Sequence, residues 1–218
     1  MSGAVRVLVP GKINLYLGVG PRREDGYHEL TTVYSAISLY DEITATAGGE
    51  DGAPGSLTID GEGAGSLPLD RGNLAVRAAE SLAALIGADP RVRLRLRKRI
   101  PVAGGLAGGS ADAAATLVAC DGLWDGGLPL AKLASLAADL GSDVPFLLYG
   151  GTAVGTGRGE VIEPVPGGGQ TRHWAVAVAS GGLSTPAVYA ELDRLRAAGL
   201  VPPADPAPER AADRLLSA

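Results

Sequence analysis

Four glycines fall within the six positions 104–109, inside the stretch PVAGGLAGGSADAAATLVA that runs from 101 to 119. These residue types at this spacing suit an anion cradle. Glycines let the backbone curl and remove the Cβ atoms that would hold phosphate oxygens at a distance. The alanine-rich run behind them predicts a helix, whose first turn offers unpaired N–H groups and the positive end of its dipole. Three well-known loops fail in detail. A Walker loop requires a lysine directly after its last glycine, where this chain has Ser110 and Ala111. GGLAGGS lacks the GxGxxG spacing of a dinucleotide fingerprint. No GxSxG elbow is present, and a serine triad would have only His28 and His173 to draw on. A glycine loop that holds nothing stays open on these residues alone. The order strand, glycines, helix favours phosphate.

Other chemistry-bearing residues stand in turn-like settings. Asp143 in GSDVPF has the type of a general base, and Lys12 in PGKIN follows the first apolar run. On the residues alone, the ordinary readings are a helix-capping Asp143 ahead of Val144 and Pro145, a surface Lys12 and a surface-loop His28. Cys120 lies in an apolar helical run and reads as a small buried hydrophobe.

The elements that must position these groups show in the hydrophobic pattern. VRVLVP (5–10) and INLYLGV (13–19) alternate and predict two strands joined at Pro10-Gly11. VYSAISLYDEITATA (33–47) and LTID (57–60) also have strand composition. In NLAVRAAESLAALIG, Leu74, Ala78, Leu82, Leu85 and Ile86 share one helical face, and Gly87 is a natural stop. VRLRLRKRIP (92–101) predicts a half-buried strand with Arg93, Arg95 and Arg97 outward. Helices are expected from about Ser110 to Trp124 and from Pro129 to Leu140, then a hairpin in GTAVGTGRGEVIEPV. WAVAVAS (174–180) predicts a buried strand and TPAVYAELDRLRAAG (185–199) a helix. The tail from 200, rich in proline and alanine, reads as a linker.

Composition excludes several classes of function. The formal charge is −5, and no basic run occurs, which argues against a nucleic-acid surface. One cysteine cannot form an internal disulfide or a CxxC metal site, so a reducing cytoplasm is the expected compartment. No apolar stretch has the length of a membrane span, and MSGAVRVLVPGK lacks the apolar region of a signal peptide.

PVAGGLAGGSADAA resembles the phosphate-loop signature of the GHMP kinases, the superfamily of galactokinase, homoserine kinase, mevalonate kinase and phosphomevalonate kinase. PGKINLYLGVGPRREDGYHEL (10–30) and LGSDVPFLLYGGTAVGTGRGE (140–160) narrow the resemblance to a branch acting on a cytidine-diphosphate-linked methylerythritol. The likeness runs from about Val5 to Leu195. It implies an α+β fold, a mainly antiparallel sheet backed by helices. It also implies an ATP-binding N-terminal domain over 1–165, with 166–218 beginning a ferredoxin-like C-terminal domain.

The implied reaction moves the γ-phosphate of ATP, brought with Mg²⁺, to the 2-hydroxyl of the methylerythritol in the non-mevalonate isoprenoid route. By resemblance, Asp143 is the base and Lys12 its partner. Gly104, Gly105, Leu106, Gly108, Gly109, Ser110 and Ala111 surround the phosphates, with Ser110 also the expected helix cap. Asn73 and Lys98 match positions near the adenine and ribose. Tyr27 and His28 hold the cytosine by stacking and hydrogen bonding, Asn14 binds near the acceptor hydroxyl, and Thr185 and Tyr189 line the substrate pocket. No protein-only metal site is expected, and the partner is a small molecule met by a monomer or homodimer.

The sequence departs from the superfamily pattern in one respect. The third motif, a glycine-rich segment of the C-terminal domain, is not found, and PGGGQT (166–171) does not supply it. Truncation of a longer kinase is the favoured explanation. A nucleotide-binding fragment with impaired catalysis is the alternative, along with another GHMP small-molecule kinase, which DGYHEL disfavours.

Overall fold

The computed structural model describes residues 3–48, 56–166, 172–177, 181–205 and 208–216. Its centre is a six-stranded sheet built on one long hairpin, β1 (Ala4–Arg22) with β2 (His28–Ala47). The other edge of β2 is shared. Its C-terminal half pairs with β4 (Val92–Lys98), which pairs in parallel with β3 (Ser56–Gly61). Its N-terminal half pairs with β5 (Thr152–Thr156), which forms a hairpin with β6 (Val161–Pro164). All these pairings except β3 with β4 are antiparallel.

The two strands expected on either side of Pro10-Gly11 are one strand. Proline lacks the N–H a ladder needs, and the chain accommodates it as a register shift between Pro10 and Gly11 instead of a turn. Beyond the shift, the Lys12 N–H donates to the carbonyl of Leu106 at 3.1 Å, so the glycine loop is tied to β1.

Helices cover one face. α2 (Gly108–Leu123) packs against β1 and β2, with α1 (Leu74–Ile86), α3 (Leu130–Leu140) and the short α4 (Val144–Tyr149) around it. Its alanines are buried on nearly every side, together with Leu117 and Cys120. Small residues let this helix sit close to both the sheet and α1. Burial pushes the Cys120 thiol up to about 12, as expected of an inert core thiol. Gly87 ends α1 in the left-handed region at φ 69°, as its position in the sequence predicts.

Several expectations are corrected. α2 begins at Gly108, so Ser110 occupies its third position; the cap is Ala107, which has no side-chain oxygen to offer. Residues 174–177 of WAVAVAS form no strand, and Trp174 and Val176 are about half exposed, because none of the described strands pairs with them; 178–180 lie outside the described residues. PGGGQT also lies outside them from 167 onward. The tail expected to be a linker contains α6 (Pro208–Leu216), which packs on β1 and β2 through the buried Ala212. Among the described residues no helix is long and apolar enough to cross a membrane.

Candidate active site

A cleft of about 890 Å³ lies along the glycine loop. Its walls bring together most of the residues singled out in the sequence. Lys12, Asn14 and Asp143 line one end, and Asn73, Lys98 and Gly104, Gly105, Gly108 and Gly109 line the other. Thr185 and Tyr189 enter from α5 (Thr185–Ala197). Leu106 and Ala111 do not line it; both side chains belong to the core. Tyr27 and His28 stand outside the cleft, although His28 is connected to it through Tyr189.

The loop is shaped by more than its glycines. Positive φ recurs at every second residue, at Ala103 (56°), Gly105 (73°) and Ala107 (58°). Such alternation turns successive N–H groups toward a common concave side, the arrangement known as an anion nest. The first α2 hydrogen bond runs from the Ala111 N–H to the Ala107 carbonyl at 2.9 Å. The N–H groups of Gly108, Gly109 and Ser110 precede it and open the helix toward the cleft. Gly108 lines the cleft and is also constrained from beneath. A Cβ there would come within 2.9 Å of Lys98 Nζ, so the missing side chain makes room for the lysine beneath.

At the acceptor end, Lys12 Nζ lies 3.4 Å from Asp143 Oδ2 and donates to Asn14 Oδ1 at 2.9 Å. Asn14 Nδ2 donates to Thr32 Oγ1 at 2.7 Å, and that hydroxyl donates to the Tyr16 carbonyl at 2.8 Å, which fixes the amide orientation. The Tyr34 hydroxyl, reaching from β2, donates to Asp143 Oδ1 at 3.0 Å. Burial and the neighbouring Asp143 carboxylate hold the Tyr34 phenol far above its ordinary range, so it remains a donor. Asp143 makes no capping hydrogen bond to α4, and its side chain is 32% exposed. Lys12 is buried at 7% and is not a surface cation. Sequence reasoning missed Tyr34, which holds Asp143 in place. No local feature of β2, which carries many polar residues and a second tyrosine, marked it out.

Beneath the glycine-loop end of the cleft lies a second charged group. Lys98 Nζ sits 2.6 Å from Asp41 Oδ2 and 2.9 Å from Asp112 Oδ2, and all three side chains are buried. Asp41 Oδ1 also accepts from the backbone N–H of Ile100 at 2.8 Å. Asp112 Oδ1 has no partner. Burial, partly opposed by Lys98 and reinforced by Asp41, pushes the Asp112 carboxyl up to about 7. Asn73 is likewise engaged, its Oδ1 capping α1 at the Ala75 N–H and its Nδ2 donating to the Pro68 carbonyl. Both sequence-derived nucleotide residues therefore line the cleft while their polar atoms are held by the protein.

At the turn that joins β1 to β2 the DGYHEL loop closes on Gly26 at φ 85°. Tyr27 is 54% exposed, with the Arg158 guanidinium 5.0 Å from its ring centre. His28 is buried at the start of β2, in place of the surface-loop position expected, and its Nε2 lies 2.8 Å from Asp193 Oδ1. Asp193 was not foreseen. Among the described residues no cluster of three or more histidine, cysteine or acidic side chains is arranged to hold a metal.

Known proteins resemble this chain in sequence and fold. The family model described as the GHMP kinases N terminal domain matches residues 73–151. A curated protein of Salinispora tropica named 4-diphosphocytidyl-2-C-methyl-D-erythritol kinase is 62% identical over 217 residues, 100% of this chain and 66% of that protein. One of the same name from Salinispora arenicola is 62% identical over 218 residues, covering 67% of its length. The chain thus spans about two thirds of the length of these relatives. A crystal structure of 4-(cytidine 5'-diphospho)-2C-methyl-D-erythritol kinase aligns with a TM-score of 0.58 at 41% identity, over 73% of this chain and 55% of that one. A homoserine kinase from Cytophaga hutchinsonii, 18% identical with a TM-score of 0.54 over 71% of this chain and 49% of that one, shares the fold.

Proposed function

The chain belongs to the 4-diphosphocytidyl-2-C-methyl-D-erythritol kinases of the GHMP superfamily, and on that premise we propose that it carries machinery for ATP-dependent phosphorylation of the 2-hydroxyl of that cytidine compound, in the non-mevalonate isoprenoid route. The observation that carries this reading is the Lys12–Asp143 pair, 3.4 Å apart in the cleft that the glycine loop also lines.

An alcohol is a poor nucleophile, and phosphoryl transfer asks a protein mainly for alignment, charge neutralisation and a proton acceptor. Asp143 takes the acceptor proton, with the Tyr34 hydrogen bond fixing one carboxylate oxygen and leaving the other toward Lys12. Lys12 offsets negative charge as it develops on the acceptor oxygen and the moving phosphoryl group. Asn14, oriented through Thr32, positions the acceptor. The ATP phosphates rest against the nest at 103–110, with Gly104, Gly105 and Gly109 beside them and the Leu106, Ser110 and Ala111 backbone completing the turn. Asn73 and Lys98 border the nucleoside. Mg²⁺ would come with ATP and would neutralise its phosphates, held chiefly by their oxygens; of the carboxylates lining the cleft, Asp112 is turned to Lys98 and Asp143 to Lys12 and Tyr34. Tyr27 and His28 take the cytosine, with Thr185 and Tyr189 lining the path to it. Residues 1–165 form the ATP-binding domain and 166–218 begin a second one, in a cytosolic monomer or homodimer.

An ADP-release assay of the 218-residue chain with ATP, Mg²⁺ and the cytidine substrate tests this, with mevalonate and homoserine as control acceptors. Turnover that depends on the cytidine substrate is expected. Equal turnover with a control acceptor would remove the substrate assignment.

A further inference from the structure

Tyr189, Asp193 and Arg196 stand at i, i+4 and i+7 on α5, one stripe of the helix. The Tyr189 ring stacks on His28, with centroids 4.9 Å apart and planes 17° from parallel. Asp193 Oδ1 lies 2.8 Å from His28 Nε2. Arg196 donates to the carbonyls of Val19 at 2.7 Å and Gly20 at 3.1 Å. No α5 side chain is fully buried; this polar and aromatic stripe anchors the helix to the sheet, with Leu192 and Leu195 partly covered beside it. His28 is consequently held on two axes, its face by Tyr189 and its edge by Asp193.

The edge contact has a chemical consequence. An ionised carboxylate only accepts hydrogen bonds, so the hydrogen of this contact belongs to Nε2. In a neutral imidazole with its hydrogen there, Nδ1 is a bare lone pair and therefore an acceptor. Cytosine carries a donating exocyclic amino group at the position where uracil carries a carbonyl oxygen. We propose that Asp193 is a positioning residue that locks His28 in the Nε2–H tautomer, so that Nδ1 accepts the cytosine amino group and rejects uracil. The proposal rests on the cytidine reading above and adds the residue that gives it base selectivity. A uracil oxygen facing the lone pair would leave two acceptors unpaired, the kind of mismatch that discriminates most strongly between similar ligands.

His28 and His173 are the two histidines of the chain, so imidazole nitrogen NMR of the labelled protein reads the tautomer directly, with His173→Gln for assignment. Titration with CMP, UMP and ADP gives the second readout. The wild type is expected to show His28 as Nε2–H and to bind CMP about tenfold more tightly than UMP. Asp193→Ala should mix the tautomers and bring that ratio to about one, with ADP affinity changed less than about twofold. Asp193→Asn keeps an acceptor oxygen and should restore both tautomer and ratio. A tautomer indifferent to Asp193→Ala, or parallel loss of CMP and ADP binding, overturns the assignment of Asp193. A wild type with the expected tautomer but no preference for CMP overturns the cytidine reading instead.

Discussion

Two lysines line the same cleft, both buried, and they do opposite things. Lys98 faces two carboxylates at 2.6 and 2.9 Å, each itself buried, and has no charge left to offer a ligand. Lys12 faces one carboxylate at 3.4 Å, and that partner is a third exposed. The first set is a closed structural group under the phosphate loop. The second is an open pair with one side turned to the space where an acceptor would sit. Burial of a lysine therefore says little about its role; the unused bonding capacity of its partner says more.

The comparison breaks most visibly in turnover. Asp143→Asn removes the proton acceptor but keeps the shape, so transfer in the ADP-release assay is expected to fall by about 10²- to 10⁴-fold. A variant with near-normal turnover would return Asp143 to a structural role. Next in size is the fold itself. Lys98→Ala leaves two carboxylates buried without a counter-charge and should cost about 3–5 kcal/mol in urea unfolding. If Lys98→Ala melted like the wild type, the closed group would not be structural.

The smallest expected effect sharpens the contrast through pH. The folded Asp112 carboxyl is raised to about 7 from an ordinary 3.8, so the folded chain holds that proton more tightly than the unfolded chain. Its contribution to stability is therefore complete below the unfolded value and is lost as pH rises through the folded one. Between about pH 5 and pH 8 the wild type should lose about 2 kcal/mol from this group. Asp112→Asn should flatten that slope, and a slope that persisted in the variant would assign it to other groups.

The glycine loop, α1 and the arginine-faced β4 were legible because each is written in a short run of sequence, whereas Lys12 and Asp143 had ordinary readings on the residues alone and only the family resemblance joined them. What escaped notice is closed over distance. The Tyr34 bond to Asp143 spans 109 positions and the Lys98 bond to Asp41 spans 57, and no local period reports either. Local rules also misled where tertiary context prevailed. Pro10 looked like the end of a strand because proline breaks ladders, yet a register shift carries β1 through it. Ala103 and Ala107 gave no sign of a left-handed backbone, since alanine rarely adopts one; the loop imposes it. WAVAVAS had the composition of a buried strand, but composition cannot supply a neighbour to pair with.

The docking of α5 by a stripe without any buried side chain sets an order of events in time. α2 is enclosed on nearly every side, so its amide hydrogens should exchange with solvent only through large-scale opening. α5 has no fully buried side chain and is anchored by a stacked ring, a carboxylate contact and two arginine hydrogen bonds, so it should exchange as a separate and faster unit. α5 can thus loosen and re-form many times while α2 and the glycine loop ahead of it stay intact. A nucleotide seated at the loop would then wait, already aligned, for the acceptor to be captured.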